Sequence, residues 1–310
     1  MERVNQTSSV SEFILVGLSS RPEDQTPLFV LFLTIYLVTI TGNLLIILAI
    51  CSDPQLQTPM YFFLSFLSFT DIWFTTTIVP KMLANFLSER KTISYADCLT
   101  QMYFIYAFGN SDSCLLAVMA FDRYVAICDP FHYVTTMSHR RCVLLVAFSC
   151  SLPHLHSLLH TLLLNLLTFC DSNVIHHFLC DLSPLMKLSC SPTVVNETVI
   201  MAEGSVVLVT PFLCIVFSYT RILITVLKIP SAAGKHKAFS TCGSHLTVVT
   251  LFYGSIFYVY LQPVSTYTVK DHMATVVYTV LTSMLNPFIY SLRNKDLKRG
   301  LRKLMSRRRS

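Results

Sequence analysis

Apolar residues in this chain are grouped in runs long enough to cross a lipid bilayer. A helix needs about 20 mostly apolar residues to span the ~30 Å hydrocarbon core. Seven such runs occur, at roughly 28–50, 60–86, 98–127, 142–164, 198–227, 238–261 and 272–292. The pattern therefore predicts an all-α membrane protein, a bundle of seven transmembrane helices.

The segments outside these runs divide the chain into three parts. The first 26 residues hold one short apolar stretch, Phe13 to Leu18, which is too brief for a span, and no cleavable signal peptide is recognisable there. Beyond the last run, Leu297, Leu301 and Leu304 recur on one helical face with basic residues opposite, which is typical of a helix lying on an anionic leaflet. We expect an N-terminal tail over 1–26, a seven-transmembrane domain over 27–292, and an amphipathic helix with a basic tail over 293–310.

Composition supports the membrane class. Hydrophobic residues make up 53% of the 310 residues and charged residues only 13%, about half of what a soluble domain carries. A disordered chain is excluded by the same numbers. The net charge of +6 could suggest nucleic acid, but nine of the 23 Lys and Arg lie in the last eighteen residues. We therefore assign the basic end to the cytoplasmic membrane face and expect no nucleic-acid partner.

The Lys and Arg distribution predicts the orientation. With the C-terminus inside, the cytoplasmic segments hold fifteen of these residues and the outer segments seven, with Arg123 set aside. The N-terminus is then extracellular. The sequon at Asn5 falls on the outer side in a free tail and is a candidate glycosylation site, whereas Asn196 is close to the fifth span.

Four of the eleven cysteines fall on the outer side, where disulfides persist. These are Cys98, Cys170, Cys180 and Cys190. Four cysteines allow three connectivities, and spacing does not choose among them. A metal site is a rival interpretation, although no paired C-x-x-C spacing supports it.

Two carboxylates fall in the middle of predicted spans. Asp71 lies in the second and Asp112 in the third, where an ionisable group costs at least ~2.5–3.5 kcal/mol. They could share a proton, bind a cation, or remain neutral and hydrogen-bonded. Both are expected to face the interior of the bundle.

Motifs at the inner ends of the spans carry a family resemblance. Asp122-Arg123-Tyr124 ends the third span, and Asn286-Pro287-x-x-Tyr290 ends the seventh. Longer matches are PMYFFL from Pro59, MAFDRYVAIC from Met119, Ser218-Tyr219, KAFSTCGSHL from Lys237 and MLNPFIYSLRN from Met284. With seven spans, these motifs resemble the odorant receptors, in their tetrapod-type branch, within the rhodopsin-like (class A) G-protein-coupled receptors.

The resemblance implies a function. It implies a plasma-membrane receptor of olfactory cilia that binds small volatile odorants and activates a stimulatory G protein to raise cAMP. It implies disulfides Cys98–Cys180 and Cys170–Cys190, with Cys98–Cys190 as an alternative, and a sodium-type site at Asp71 and Asp112 in the resting state. The implied coupling residues are Asp122, Arg123, Tyr124, Tyr219, Lys237, His245, Asn286, Pro287 and Tyr290.

A ligand pocket is expected in the outer half of the bundle. Steps of three and four place five residues of the third span along one stripe, and the resemblance turns this stripe, with residues of later spans, toward the ligand. The predicted set is Met102, Tyr106, Gly109, Asn110, Ser113, Val207, Tyr253, Ile256, Phe257, Tyr260, Val276 and Thr279. Packing between helices is the alternative role for each of these residues.

Other functions are disfavoured by the sequence. No internal repeat supports a transporter, and no nucleophile–base pair or metal cluster supports an enzyme. Ile105 and Val280 stand where amine receptors have an Asp and opsins a Lys, which argues against a cationic transmitter and retinal. A steroid-like or fatty ligand is the remaining alternative.

Overall fold

The structure is a computed structural model that describes residues 10–170, 172–260 and 269–307. Within those ranges, seven helical stretches are long and apolar enough to cross a membrane, so the predicted number of spans is confirmed. Their helices are α1 (Pro22–Ser52), α2 (Pro59–Phe86), α3 (Tyr95–Cys128), α5 (His139–Asn165), α7 and α8 (Val194–Val199 and Ser205–Leu227), α9 (Ala232–Tyr260), and α10 and α11 (Val269–Val276 and Thr282–Arg293). Shorter helices are α4 (Tyr133–Thr136), α6 (Leu182–Lys187) and α12 (Lys295–Arg307).

The helix ends extend beyond the apolar runs. Helix α1 begins at Pro22, with Glu23 and Asp24 in its first turn. Proline suits the first helical position, and acidic groups interact favourably with the positive end of the helix dipole. The helix therefore starts within the segment that the sequence analysis assigns to the tail.

Two spans contain a π-helical turn. Ile200–Gly204 joins α7 to α8, and Val277–Leu281 joins α10 to α11. A π turn inserts an extra residue and rotates the side chains that follow, and such turns are frequent at functional sites. Hydrophobic periodicity does not predict these two turns.

A small sheet covers one end of the bundle. Strand β1 (Glu12–Leu15) pairs antiparallel with β2 (Thr92–Ser94) and parallel with β3 (Val174–Ile175). The side chains of Phe13 and Leu15 are fully buried beneath it. The N-terminal segment is thus anchored from residue 12 onward rather than free as expected; Asn5 lies outside the described residues.

The third span lies at the centre of the bundle. Helix α3 packs against α2, α5, α8 and α9, whereas α1 packs against α2, α11 and α12. Side chains that face outward are mostly apolar, as on Leu155, Phe217 and Phe288. This arrangement fits a bundle whose outer surface contacts lipid.

Helix α12 docks against the first inner loop. Leu297 is fully buried, and a Cβ added at Gly300 would lie 2.7 Å from Cδ1 of Leu56, so a larger residue there would require the Leu56 side chain to shift. The ammonium of Lys303 donates to Asp53 at 3.0 Å. The predicted C-terminal helix is present, with its leucines toward the bundle.

Substitution Asp53→Asn should loosen this docking. Hydrogen bonds from Lys303 and the backbone N–H of Gln55 lower the pKa of Asp53 below its usual 3.8. Because the pKa is lowered, ionised Asp53 stabilises the docked helix fully above pH 3.8. This stabilisation is lost as the pH falls through the lowered pKa. At neutral pH we expect the backbone amides of 295–307 to exchange hydrogen faster in the variant than in the wild type. In the wild type the same acceleration is expected only in strong acid. Exposed Asp129→Asn is the control; unchanged exchange in Asp53→Asn would contradict the prediction.

Candidate ligand pocket and signalling contacts

A buried hydroxyl pair joins α3 to α9 near the middle of the bundle. The hydroxyl oxygens of Ser113 and Tyr253 are 2.6 Å apart, and both side chains are buried. The ring of Phe212 on α8 lies 5.1 Å from that of Tyr253 and 5.0 Å from that of Phe257, measured between centroids. Three helices therefore meet in an aromatic cluster with one polar contact, which is the composition that small apolar ligands require.

The other predicted residues of α3 have different surroundings. Met102 is fully buried in the outer apolar cluster that also contains Cys98. Tyr106 donates a hydrogen bond to Asp181 at 2.6 Å. Gly109 lies against Phe74 of α2, and Asn110 is half-buried. The stripe thus contacts α2 and the outer loop as well as the aromatic cluster.

The predicted residues of the later spans are mainly interior. Ile256 and Val276 are buried in the main core. Thr279 is fully buried in the π turn, and its hydroxyl donates to the carbonyl of Thr275 at 2.6 Å. Val207 is half-buried on α8. The side chain of Tyr260 lies outside the described residues.

The outer loop is fastened onto α3. Cys98 pairs with Cys180 at a Cα–Cα distance of 5.5 Å, and Cys170 with Cys190 at 6.1 Å. These are the pairings that the resemblance implies, and the Cys98–Cys190 alternative is not observed. The backbone N–H of Cys180 also donates to Gln101 at 3.0 Å.

Asp181 immediately follows Cys180 and is buried where the outer loop meets α3. Burial raises the pKa of its carboxyl, while hydrogen bonds from Tyr106 and from the backbone N–H of Leu182 oppose that rise. The loop therefore presents a buried acid directly above α3. Sequence reasoning did not single out this residue.

The two carboxylates within the spans are both buried. Asp71 accepts a hydrogen bond from Asn286 at 2.8 Å, and Asp112 accepts one from Thr70. They lie close enough for their charges to act on one another. The Oδ1 atom of Asn286 is buried and has no donor among the described residues. Asp71, Asp112 and Asn286 therefore bring carboxylate and amide oxygen atoms into the same buried region.

At the inner end, α9 is bound to both α3 and α8. Nε2 of His245 lies 3.0 Å from the carbonyl oxygen of Leu116, and Nδ1 lies 2.8 Å from the hydroxyl of Tyr219. Because a carbonyl oxygen can only accept, Nε2 carries a proton, and Nδ1 of the neutral ring accepts from Tyr219. His245 thus links three helices.

The Asp-Arg-Tyr motif lies beside this link. Asp122 is buried and accepts a hydrogen bond from Tyr133 of α4 at 2.7 Å. Burial and the neighbouring Asp122 raise the pKa of the Tyr133 phenol. Arg123 and Tyr124 are half-buried. The side chain of Lys237 lies outside the described residues.

The end of the seventh span packs against the first. A Cβ added at Gly42 of α1 would lie 3.1 Å from the Pro287 ring, so the two helices approach closely there. The hydroxyl of Tyr290 is buried and has no hydrogen-bond partner in the described part of the chain. An unpaired buried hydroxyl costs free energy, so an arrangement that gave the Tyr290 hydroxyl a hydrogen-bond partner would be stabilised by that bond.

Comparison with known proteins decides the family. The family model described as olfactory receptor matches residues 32–308. The chain is 83% identical to human olfactory receptor 1L8 over 99% of this chain and 100% of that one. It is 72% identical to human olfactory receptor 1L1, covering 98% of this chain and 84% of that one. The chain belongs to the olfactory receptor family.

The fold agrees with this assignment. A crystal structure of squid rhodopsin superposes with a TM-score of 0.73 at 19% identity, covering 92% of this chain and 81% of that one. The fold is therefore the seven-helix fold of rhodopsin. As a member of the olfactory receptor family, this chain is a multi-pass protein of the plasma membrane and a receptor rather than an enzyme.

Sequence reasoning missed several interior residues of this olfactory receptor. Phe212 is apolar on an apolar span, where lipid-facing and interior positions look alike. Gln101 could have been noticed as a polar residue one turn from Cys98. An open groove of about 750 Å³ between α2, α3 and α5, lined partly by the exposed Trp73 and Phe104 and by His154, contains none of the predicted ligand residues.

Proposed function

We propose that this olfactory receptor binds small, volatile, mostly apolar odorants beside the aromatic cluster of Phe212, Tyr253 and Phe257. One observation carries the proposal: α9 is hydrogen-bonded to α3 at two levels, through Tyr253 to Ser113 and through His245 to Leu116. A ligand that moves α9 at the Tyr253–Ser113 contact therefore also acts on the helix that carries His245.

The chemistry of the cluster favours apolar ligands with one polar group. Aromatic rings supply apolar surface, and the Ser113–Tyr253 pair supplies a hydroxyl that can orient an alcohol, aldehyde, ketone or ester. A charged ligand would find no described counter-ion among these four side chains. Val207, Ile256 and Val276 add further apolar surface to the proposed pocket.

Signalling follows from a population shift. An odorant that binds one helix arrangement more tightly favours that arrangement by its differential affinity. We propose that the contacts that respond to the odorant are those among Leu116, Tyr219 and His245. We assign the coupling to a stimulatory G protein to Arg123 and Tyr290. The N-terminus is then extracellular and the groove for the G protein cytoplasmic.

A sodium ion fits the buried acids. Carboxylate and amide oxygens are hard donors of the kind that bind hard cations, and the unpartnered Oδ1 of Asn286 would gain a partner. Asp71, Asp112 and Asn286 would hold the ion and so favour the arrangement in which α2, α3 and α11 are drawn together. When bound, the cation would supply the positive charge that two neighbouring carboxylates lack.

Substitution of the upper contact tests the pocket. Tyr253→Phe and Ser113→Ala should each raise the odorant concentration for half-maximal cAMP about three- to tenfold, because one hydrogen bond of about 1 kcal/mol holds the ring in place. The double variant should be no worse than either single one. The assay is cAMP in cells that express the receptor and a stimulatory G protein, with a panel of apolar alcohols, aldehydes, ketones and esters.

The control is Tyr258→Phe on the same helix. Tyr258 is 44% exposed on the outer face, so its hydroxyl should have no effect on potency. Equal effects of Tyr258→Phe and Tyr253→Phe, or an odorant-gated ion current in vesicles without G protein, would contradict the proposed function.

A further inference from the structure

Two histidines and a glutamate form a cluster that the signalling contacts do not use. His156 and His160 lie one turn apart on α5, with ring centroids 4.4 Å apart. Nδ1 of His156 lies 3.6 Å from a carboxylate oxygen of Glu203. One potential ligand atom from each residue lies within 4.8 Å of the other two.

The pattern of residues on α5 places these ionisable side chains in the interior of the bundle, where their burial is unfavourable in free energy. Leu155, Leu158 and Leu162 of α5 are exposed to the lipid side, whereas His156 and His160 are buried. Ionisable side chains within a span are expensive and normally have a functional partner. Glu203 reaches the histidines from the π turn Ile200–Gly204, which is a local departure from regular helix of the kind found at functional sites.

The cluster is not satisfied by hydrogen bonds alone. Nδ1 of His156 is inaccessible to solvent and has no hydrogen-bond partner among the described residues. The Glu203 oxygen at 3.6 Å is too distant for a hydrogen bond. It is close to the ~3.3 Å that separates two ligand atoms on one tetrahedral ion with Zn–N and Zn–O bonds of ~2.0–2.1 Å.

We propose that His156, His160 and Glu203 bind a divalent transition-metal ion such as Zn²⁺. Two imidazoles and one carboxylate are a donor set that zinc uses, with a fourth position left for water. The Glu203 side chain is 47% exposed and gives an ion access to the buried imidazoles. A bound ion would connect α5 to the outer part of the fifth span, immediately before α8, the helix that carries Phe212.

The test uses the purified full-length receptor in detergent, stripped of metal by a chelator that is then removed. Intrinsic fluorescence monitors thermal unfolding with ZnCl₂ or MgCl₂ added. Zinc at about 100 times its Kd should raise Tm by about 3 °C or more. Magnesium should not, because it prefers an octahedral set of oxygen ligands. Calorimetric titration should show one strong zinc site per chain.

Substitutions of the three residues test whether they are the ones that bind zinc. His156→Ala and His160→Ala should abolish both the zinc-induced rise in Tm and the strong site, and Glu203→Gln should weaken zinc binding about tenfold or more. His154→Ala is the matched control, because His154 lies on the same helix but hydrogen-bonds to the carbonyl of Cys150; it should bind zinc as the wild type does. If the buried histidine variants do not fold, Glu203→Gln, altered at a half-exposed side chain, still gives a result.

Two results would overturn the proposal. One is the absence of a zinc effect on the wild-type receptor. The other is undiminished zinc binding by Glu203→Gln or by both histidine variants, which would assign the ion to other groups such as the exposed thiols of Cys51 and Cys214. Neither the thermal shift nor the calorimetric titration uses an odorant, so both readouts are independent of odorant recognition.

Discussion

Arg123→Ala should reduce odorant-evoked cAMP to background at unchanged surface expression. Arg123 lies where its charge acts on Tyr219, His245 and Tyr290, the residues at the inner ends of the fifth, sixth and seventh spans. One cation therefore acts on residues of three helices. Alanine keeps the helix but removes the guanidinium, so this charge is lost and, with it, the coupling that we propose for Arg123.

Arg140→Ala is the matched control for this prediction. Arg140 is exposed at the start of α5, on the same side of the bundle, and its loss should leave most of the response. Surface expression is measured by flow cytometry on an N-terminal epitope, and cAMP by a luminescent reporter. A wild-type response from Arg123→Ala would show that coupling does not require this residue.

The paired change Cys98→Ser and Cys180→Ser should abolish surface expression almost completely. The bond joins residues 82 positions apart, and closing a loop of that length stabilises a fold by about 4.5 kcal/mol in the chain-entropy model. Its loss also frees the loop that holds Asp181 over α3. A loss of this size is comparable with the whole stability of many domains.

The second disulfide provides an internal comparison. Cys170 and Cys190 are 20 positions apart, for which the same model gives about 3.3 kcal/mol. Cys170→Ser with Cys190→Ser should therefore leave more receptor at the surface, measured by the same cytometry. The opposite order would show that local strain or packing, rather than loop length, governs these bonds.

The spans were predictable because lipid imposes a simple requirement. Backbone groups in the hydrocarbon are satisfied within their own helix, and outward side chains are mostly apolar. Hydrophobic runs therefore identify helices such as α2, predicted over 60–86 and observed over Pro59–Phe86. The start of α1 was less predictable, since its first turn around Pro22 is polar and extends beyond the apolar run.

The small sheet was beyond sequence reasoning. Its strands have two to four residues, and β1 pairs with β3 about 160 positions away, so no local signal specifies the pairing. Phe13 to Leu18 was recognised as too short to span a membrane, but the burial of Phe13 against Phe169 depends on the whole outer loop. Long-range pairing of this kind needs the tertiary structure.

The candidate sites were predictable to different degrees. Motif resemblance identified Arg123, His245 and Tyr290 by position, but the hydrogen bonds of His245 to Leu116 and Tyr219 depend on how three helices meet. The spacing of His156 and His160 was visible in the sequence. Their grouping with Glu203 was not, because it depends on the π turn that precedes α8.

The position of β1 has a consequence for biosynthesis. This strand precedes the first span, whereas its partner β2 follows the second span and its partner β3 follows the fourth. During synthesis, β1 can therefore pair along one edge once two spans have been made, but its other edge has no partner until the fourth span is complete. A chain truncated before residue 174 would leave that edge of β1 unpaired, so the beginning of the polypeptide reaches its final hydrogen bonding only after more than half of the chain has been made.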